Sequence, residues 1–143
     1  MNSQWQLETR IDRPDGFGAF GRAVEIHGDR AWIGNPGSMT AHEYRRTNGA
    51  WTLTSSITGT AGPYFSGVLQ LRGKRNLFVV DNNLIYLYSA AAGVWSRRAT
   101  FQVPALPFFD PQNEEALDVS GRKVAAVSSG SVYVFNLPDG LME

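Results

Sequence analysis

The sequence predicts an all-β chain built from three in-phase copies of one four-stranded antiparallel unit. Three observations predict it. Trp5, Trp51 and Trp95 recur at a period of about 45 residues, and each opens a segment that closes on a large apolar residue, Ile11, Ile57 and Phe101. A tight-turn signal precedes two of them, Asn48-Gly49-Ala50 and Ala92-Gly93-Val94, and returns as Pro138-Asp139-Gly140-Leu141 with Met142 in the tryptophan place. Between these marks, short segments of period-two hydrophobicity stand at matching places.

Taken in order, each unit starts with a short strand a, in which Val24/Ile26, Leu69/Leu71 and Leu117/Val119 alternate with Glu25, Gln70 and Asp118. Alternation buries one face and leaves the polar residues on the other. A glycine turn follows in every copy, at Gly28, Gly73 and Gly121. Strand b comes next; Leu77-Phe78-Val79-Val80 is apolar throughout, as a strand covered on both faces is. Strand c holds an aromatic residue five positions before the turn glycine, Tyr44, Tyr88 and Phe135. Asn-Gly and Asp-Gly suit a hairpin because both residues tolerate positive φ, and strand d then opens on tryptophan. Four consecutive antiparallel strands at this period make a β-propeller blade. The chain, 1–143, reads as one domain: a lone strand d at 5–11, blade one at 20–57, blade two at 65–101, and strands a to c of blade three at 114–136.

The strand count implies assembly. Propellers have four to eight blades, and three are too few to close a ring. The lone strand at 5–11 is the outer strand that blade three lacks. Two chains, head to tail, are expected to make a six-bladed ring as a homodimer, each donating strand 5–11 to its partner. The rival expectation is a piece of a longer propeller.

Composition narrows the function classes. Glycine at 15 residues and aromatics at 12% suit short strands and tight turns. Lys plus Arg equals Asp plus Glu, 13 each, which gives no electrostatic reason to bind nucleic acid or an anionic membrane surface. No cysteine is present, so neither a disulfide nor a thiolate metal site is expected. No apolar run approaches a membrane span, and no signal peptide is visible; the compartment stays open.

Chemistry-bearing residues are sparse. His27 and His42 would need a third ligand, such as Glu25 or Glu43, to hold a metal, and two polar strand residues are the simpler account. No Gly-x-Ser-x-Gly elbow appears. Glu114-Glu115 would point to opposite faces of a strand. Arg45-Arg46 and Arg97-Arg98 read as scattered, solvated charges of outer strands, and the tryptophans of strand d as packing residues between blades, with a sugar-stacking platform as the alternative. No enzyme activity, metal or cofactor is expected. The d-to-a loops are the candidate binding surface, because in a propeller they share one face beside the axis. Phe17, Tyr64, Phe108, Phe109 and Asp110 are the candidate ligand residues, since aromatic planes stack on apolar surfaces while a carboxylate accepts hydrogen bonds. Phe20 and Phe65 are expected to plug the spaces between blades instead.

Phe20-Gly21 before strand a, Gly34-Asn35-Pro36 after strand b, and the degenerate copy Tyr64-Phe65-Ser66-Gly67 resemble the FG-GAP repeat of integrin α-subunit propellers and of bacterial propeller proteins. The resemblance runs from Trp5 to Met142, and the third copy, with Glu114-Glu115 and Val127-Ser128-Ser129, departs from both motifs. Some such repeats carry a calcium loop; Asp81-Asn82-Asn83 and Asp110-Pro111-Gln112-Asn113 lack its alternating acidic spacing. The resemblance implies a recognition module for a protein surface or a carbohydrate, in an exported bacterial setting. The alternative is a purely structural, self-assembling propeller fragment without a ligand.

Overall fold

The structure, a computed structural model, describes residues 4–14, 18–59, 65–81, 83–103, 117–128 and 131–142. They form three antiparallel sheets, and among them there is no α-helix. Sheet 1 is a meander of β1 (Val24–His27), β2 (Arg30–Asn35), β3 (Thr40–Thr47) and β4 (Ala50–Thr58). Sheet 2 repeats it with β5 (Leu69–Arg72), β6 (Asn76–Asp81), β7 (Leu84–Ala91) and β8 (Val94–Gln102). Sheet 3 has three strands, β9 (Leu117–Ser120), β10 (Lys123–Ser128) and β11 (Ser131–Asn136). No sheet closes on itself.

Turn chemistry sets the register. Asn48-Gly49 and Ala92-Gly93 both sit at positive φ, as a two-residue hairpin of matched twist requires. The first hairpin turns differ in length. Val24 pairs Ile33 and Leu117 pairs Ala126 across two-residue turns, but Leu69 pairs Val79 across the longer turn Gly73-Lys74-Arg75. Phe78, not Leu77, therefore stands where Trp32 stands in sheet 1. One backbone bond recurs in every sheet and locks this end: Arg46 N–H to Asp29 C=O at 2.9 Å, Ala90 N–H to Arg75 C=O at 2.9 Å, and Leu137 N–H to Arg122 C=O at 2.7 Å.

The core lies between the sheets. Trp32 and Ala41 of sheet 1 pack on Leu69, Leu71, Leu77, Val79 and Tyr86 of sheet 2. The other face of sheet 2, with Phe78, Val80, Ile85 and Leu87, packs on Leu117, Val119, Val124 and Ala126 of sheet 3. Trp95 of β8 sits in the first interface, edge-on to Trp32 at 5.0 Å between ring centroids, with its Nε1–H donating to Glu43 at 3.3 Å.

The two ends of this stack are open. Leu69, Leu71, Leu117 and Val119 are 5%, 6%, 7% and 1% exposed, whereas their equivalents in sheet 1, Val24 and Ile26, are 56% and 64% exposed. On the far face of sheet 3, Val132 and Val134 are 65% and 59% exposed, whereas Ile85 and Leu87, which hold the same places in sheet 2, are fully buried. Residues 4–13 pair with no strand among the described residues, and Trp5 and Leu7 stand in solvent. Glu8 reaches back, pairing with Arg46 and accepting from Trp51 Nε1–H at 3.0 Å.

Candidate functional site

Strands a and c run away from the d-to-a loops, and strands b and d run toward them, so every turn falls at one of two ends. The candidate ligand residues Phe17, Tyr64, Phe108, Phe109 and Asp110 all lie outside the described residues. Beneath those loops, Phe65 is fully buried, 6.2 Å from the ring of Tyr86, and its ring leaves no room for a Cβ at Gly59. Phe20 packs at 6.0 Å from His42 and 6.5 Å from Tyr44. The Ser66 hydroxyl ties sheet 2 to sheet 1: it donates to the Thr40 carbonyl at 2.7 Å and accepts from Asn35 N–H at 3.1 Å.

Asn35 and Asp81 close β2 and β6, and both are fully buried. Neither oxygen of the Asp81 carboxylate has a hydrogen-bond partner among the described residues. Burial pushes its pKa up, because the charged form loses its water. Burial also raises the pKa of Tyr86, helped by the charge of Asp81 and opposed by Arg97, whose guanidinium lies 5.2 Å from the Tyr86 ring centre.

The histidines are not brought together. His27 pairs with Arg30 and His42 with Ile33, three positions apart on β2, so the two side chains point from opposite faces of sheet 1. His42 Nδ1 lies 2.8 Å from Ser56 Oγ. Among the described residues no three His, Cys, Asp or Glu side chains are grouped to hold a metal.

Three clefts among the described residues sit at the opposite end, among the a-to-b and c-to-d turns. One, of ≈ 310 Å³, is lined by His27, Asp29, Arg30, Arg45, Arg46 and Lys74. A second, of ≈ 410 Å³, shares Arg30, Arg45 and Lys74 and extends to Arg75 and the Ala92-Gly93 turn. A third, of ≈ 140 Å³, lies between Arg75 and Arg98. The base of the first two is a buried ion network. Glu43, fully buried, accepts from Arg30 at 2.9 Å, Arg45 at 3.2 Å and Thr54 Oγ1 at 3.0 Å. Arg30 also lies 5.3 Å from the Trp95 ring centre and donates to the Lys74 carbonyl.

Of the arginines read as solvated charges, Arg46, Arg97 and Arg98 are exposed, with Arg97 over the Tyr86 ring, and Arg45 departs from that reading because it is committed to a buried carboxylate. The signal was in the sequence. Basic residues follow the turn glycine in every copy, Gly28-Asp29-Arg30, Gly73-Lys74-Arg75 and Gly121-Arg122-Lys123. A repeat places such residues at one end of the molecule.

No family model matches the chain, and no curated protein or solved structure does so either.

Proposed function

We propose that this chain is a non-catalytic recognition module: a β-propeller of three blades per chain, closed into a six-bladed ring by a second copy. In this reading its d-to-a loops form one binding face for a carbohydrate or a protein surface. One observation carries the assembly. The contact missing at each end of the stack is a contact the chain already makes twice within itself. Leu69 and Leu71 are buried against sheet 1, and Leu117 and Val119 against sheet 2, while Val24 and Ile26 are mostly exposed. Val132 and Val134 of sheet 3 are the surface that the repeat would set against them. Each such side chain, once buried, adds on the order of 1 kcal/mol.

Two further features support the reading. The outer edge of β11 has no strand beside it among the described residues, whereas β3 and β7 each have one. Trp5 to Ile11 repeats the pattern of β4 and β8 and is unpaired. As the fourth strand of the partner's sheet 3 it would satisfy an edge that otherwise invites aggregation. The binding reading rests on the loop composition and on the absence of any nucleophile motif from the sequence.

Light scattering at micromolar concentration tests the assembly, with two chains per particle expected. A monomeric mass overturns the ring. Deletion of residues 1 to 11 is expected to abolish the dimer; an intact dimer would overturn strand exchange alone. A glycan array, with clean assembly and no ligand as the opposing result, tests recognition through the loops.

A further inference from the structure

The net charge of zero hides an uneven distribution. At the end opposite the d-to-a loops, Arg30, Arg45, Lys74 and Arg75 converge on two adjoining clefts between sheets 1 and 2. Arg30 and Arg45 share a single carboxylate, Glu43, so that trio keeps one positive charge in excess. Lys74 and Arg75, both exposed, form no ion pair among the described residues. Asp29 is the acidic side chain on the rim, and it faces Arg46 at 3.5 Å. Glu43 holds the Arg30 and Arg45 side chains in place. The Arg30 guanidinium is anchored to the Lys74 carbonyl and stacks near Trp95, and the Arg75 carbonyl is locked by Ala90 N–H. Positioning of this kind removes much of the entropy lost when a flexible side chain closes on an anion.

We propose that this cleft binds the phosphate or sulfate group of a small ligand. Guanidinium forks match a tetrahedral oxyanion with paired N–H donors, and Lys74 adds a point charge. The clefts have the size of a small molecule, and no Phe, Tyr or Trp lines either one among the described residues. That disfavours single-stranded nucleic acid, which needs stacking platforms, and an uncharged sugar, which needs an aromatic face. The site lies within one chain and does not depend on the ring.

Calorimetric titration of the full chain near pH 8 and at low ionic strength, with inorganic phosphate and separately with sulfate, tests the site. Saturable binding of one anion per chain is expected, weakened about tenfold or more in K74A/R75A, as loss of two charge-assisted contacts implies. Both side chains are exposed, so an unchanged melting temperature in that variant confirms that only the site was altered. Near pH 8 inorganic phosphate and sulfate carry nearly the same charge, so stronger binding of phosphate assigns a phosphate-bearing ligand, and stronger binding of sulfate a sulfated one. No saturation by millimolar anion, or equal binding by the double variant, overturns the proposal. Tighter binding of single-stranded DNA than of either anion overturns the small-ligand assignment. Anion binding by a monomeric particle would leave this site standing while the ring fails.

Discussion

Position by position, the repeats act as natural substitutions of one another. Asn35 and Asp81 hold the same place in sheets 1 and 2, both fully buried. The amide is neutral, whereas the carboxylate has no hydrogen-bond partner among the described residues to offset its lost hydration. Asp81→Asn is therefore expected to stabilise the protein by about 1–3 kcal/mol at pH 8. The pH dependence gives the sign. The folded-state pKa of Asp81 is raised above its unfolded value, so the folded chain holds this proton more tightly. Its penalty is absent below the ordinary carboxylate pKa of about 4 and grows as pH rises through the raised value. Urea midpoints of the two proteins should coincide near pH 4 and separate toward pH 8. Equal midpoints at both pH values would show that Asp81 finds a partner. None of this was legible in the sequence, where Asp81 reads as a failed calcium loop; only burial distinguishes it.

At the level of strands and turns much was legible. Period-two alternation and the turn pairs Asn48-Gly49 and Ala92-Gly93 are local signals, and β-sheet geometry obeys them. The longer turn at Gly73 was not visible, because the neighbouring apolar residues Leu77 and Phe78 fit either register; only the pairing of Leu69 with Val79 decides it. The basic clefts failed to stand out for a related reason. Lys74 and Arg45 are 29 positions apart in the sequence, and only stacking of sheet 2 on sheet 1 joins them. Trp95 shows what an interface position contributes. It covers Trp32, supports Arg30 and donates to Glu43. Trp95→Ala is expected to cost about 3–5 kcal/mol in chemical unfolding, since it opens a cavity and removes a donor from a buried carboxylate. A cost below 1 kcal/mol would mean that the interface repacks freely.

Across the whole molecule, exposure of equivalent residues distinguishes inner sheets from outer ones. Ile26 occupies the place of Leu71, yet it lies in solvent in the single chain. Ile26→Glu is expected to leave the monomer's fold unharmed and to shift the proposed dimer toward monomer by more than tenfold in dissociation constant, since a charge would be buried against Val132 and Val134. Sedimentation of wild type and variant across a dilution series reads this directly. Identical sedimentation would place the contact elsewhere. The even balance of acids and bases in the sequence says nothing about where charge sits, and around the two clefts Arg30, Arg45, Arg46, Lys74 and Arg75 outnumber Glu43 and Asp29.

The two open surfaces are not copies of one another: one presents Val24 and Ile26, the other Val132 and Val134. An object with a head and a tail that fit each other has two fates. If the rotation from head to tail brings the second copy's tail back to the first copy's head, growth halts and the product is finite. If the rotation falls short, each addition exposes a fresh head, and the chain polymerises into a fibre without any new contact being invented. In the proposed assembly, the rotation from one sheet to the next, which turns such as Gly73-Lys74-Arg75 would help to set, would decide between a closed particle and a filament. Lengthening or shortening such a turn is thus a change in the size of the product, even where every residue of the contact is kept.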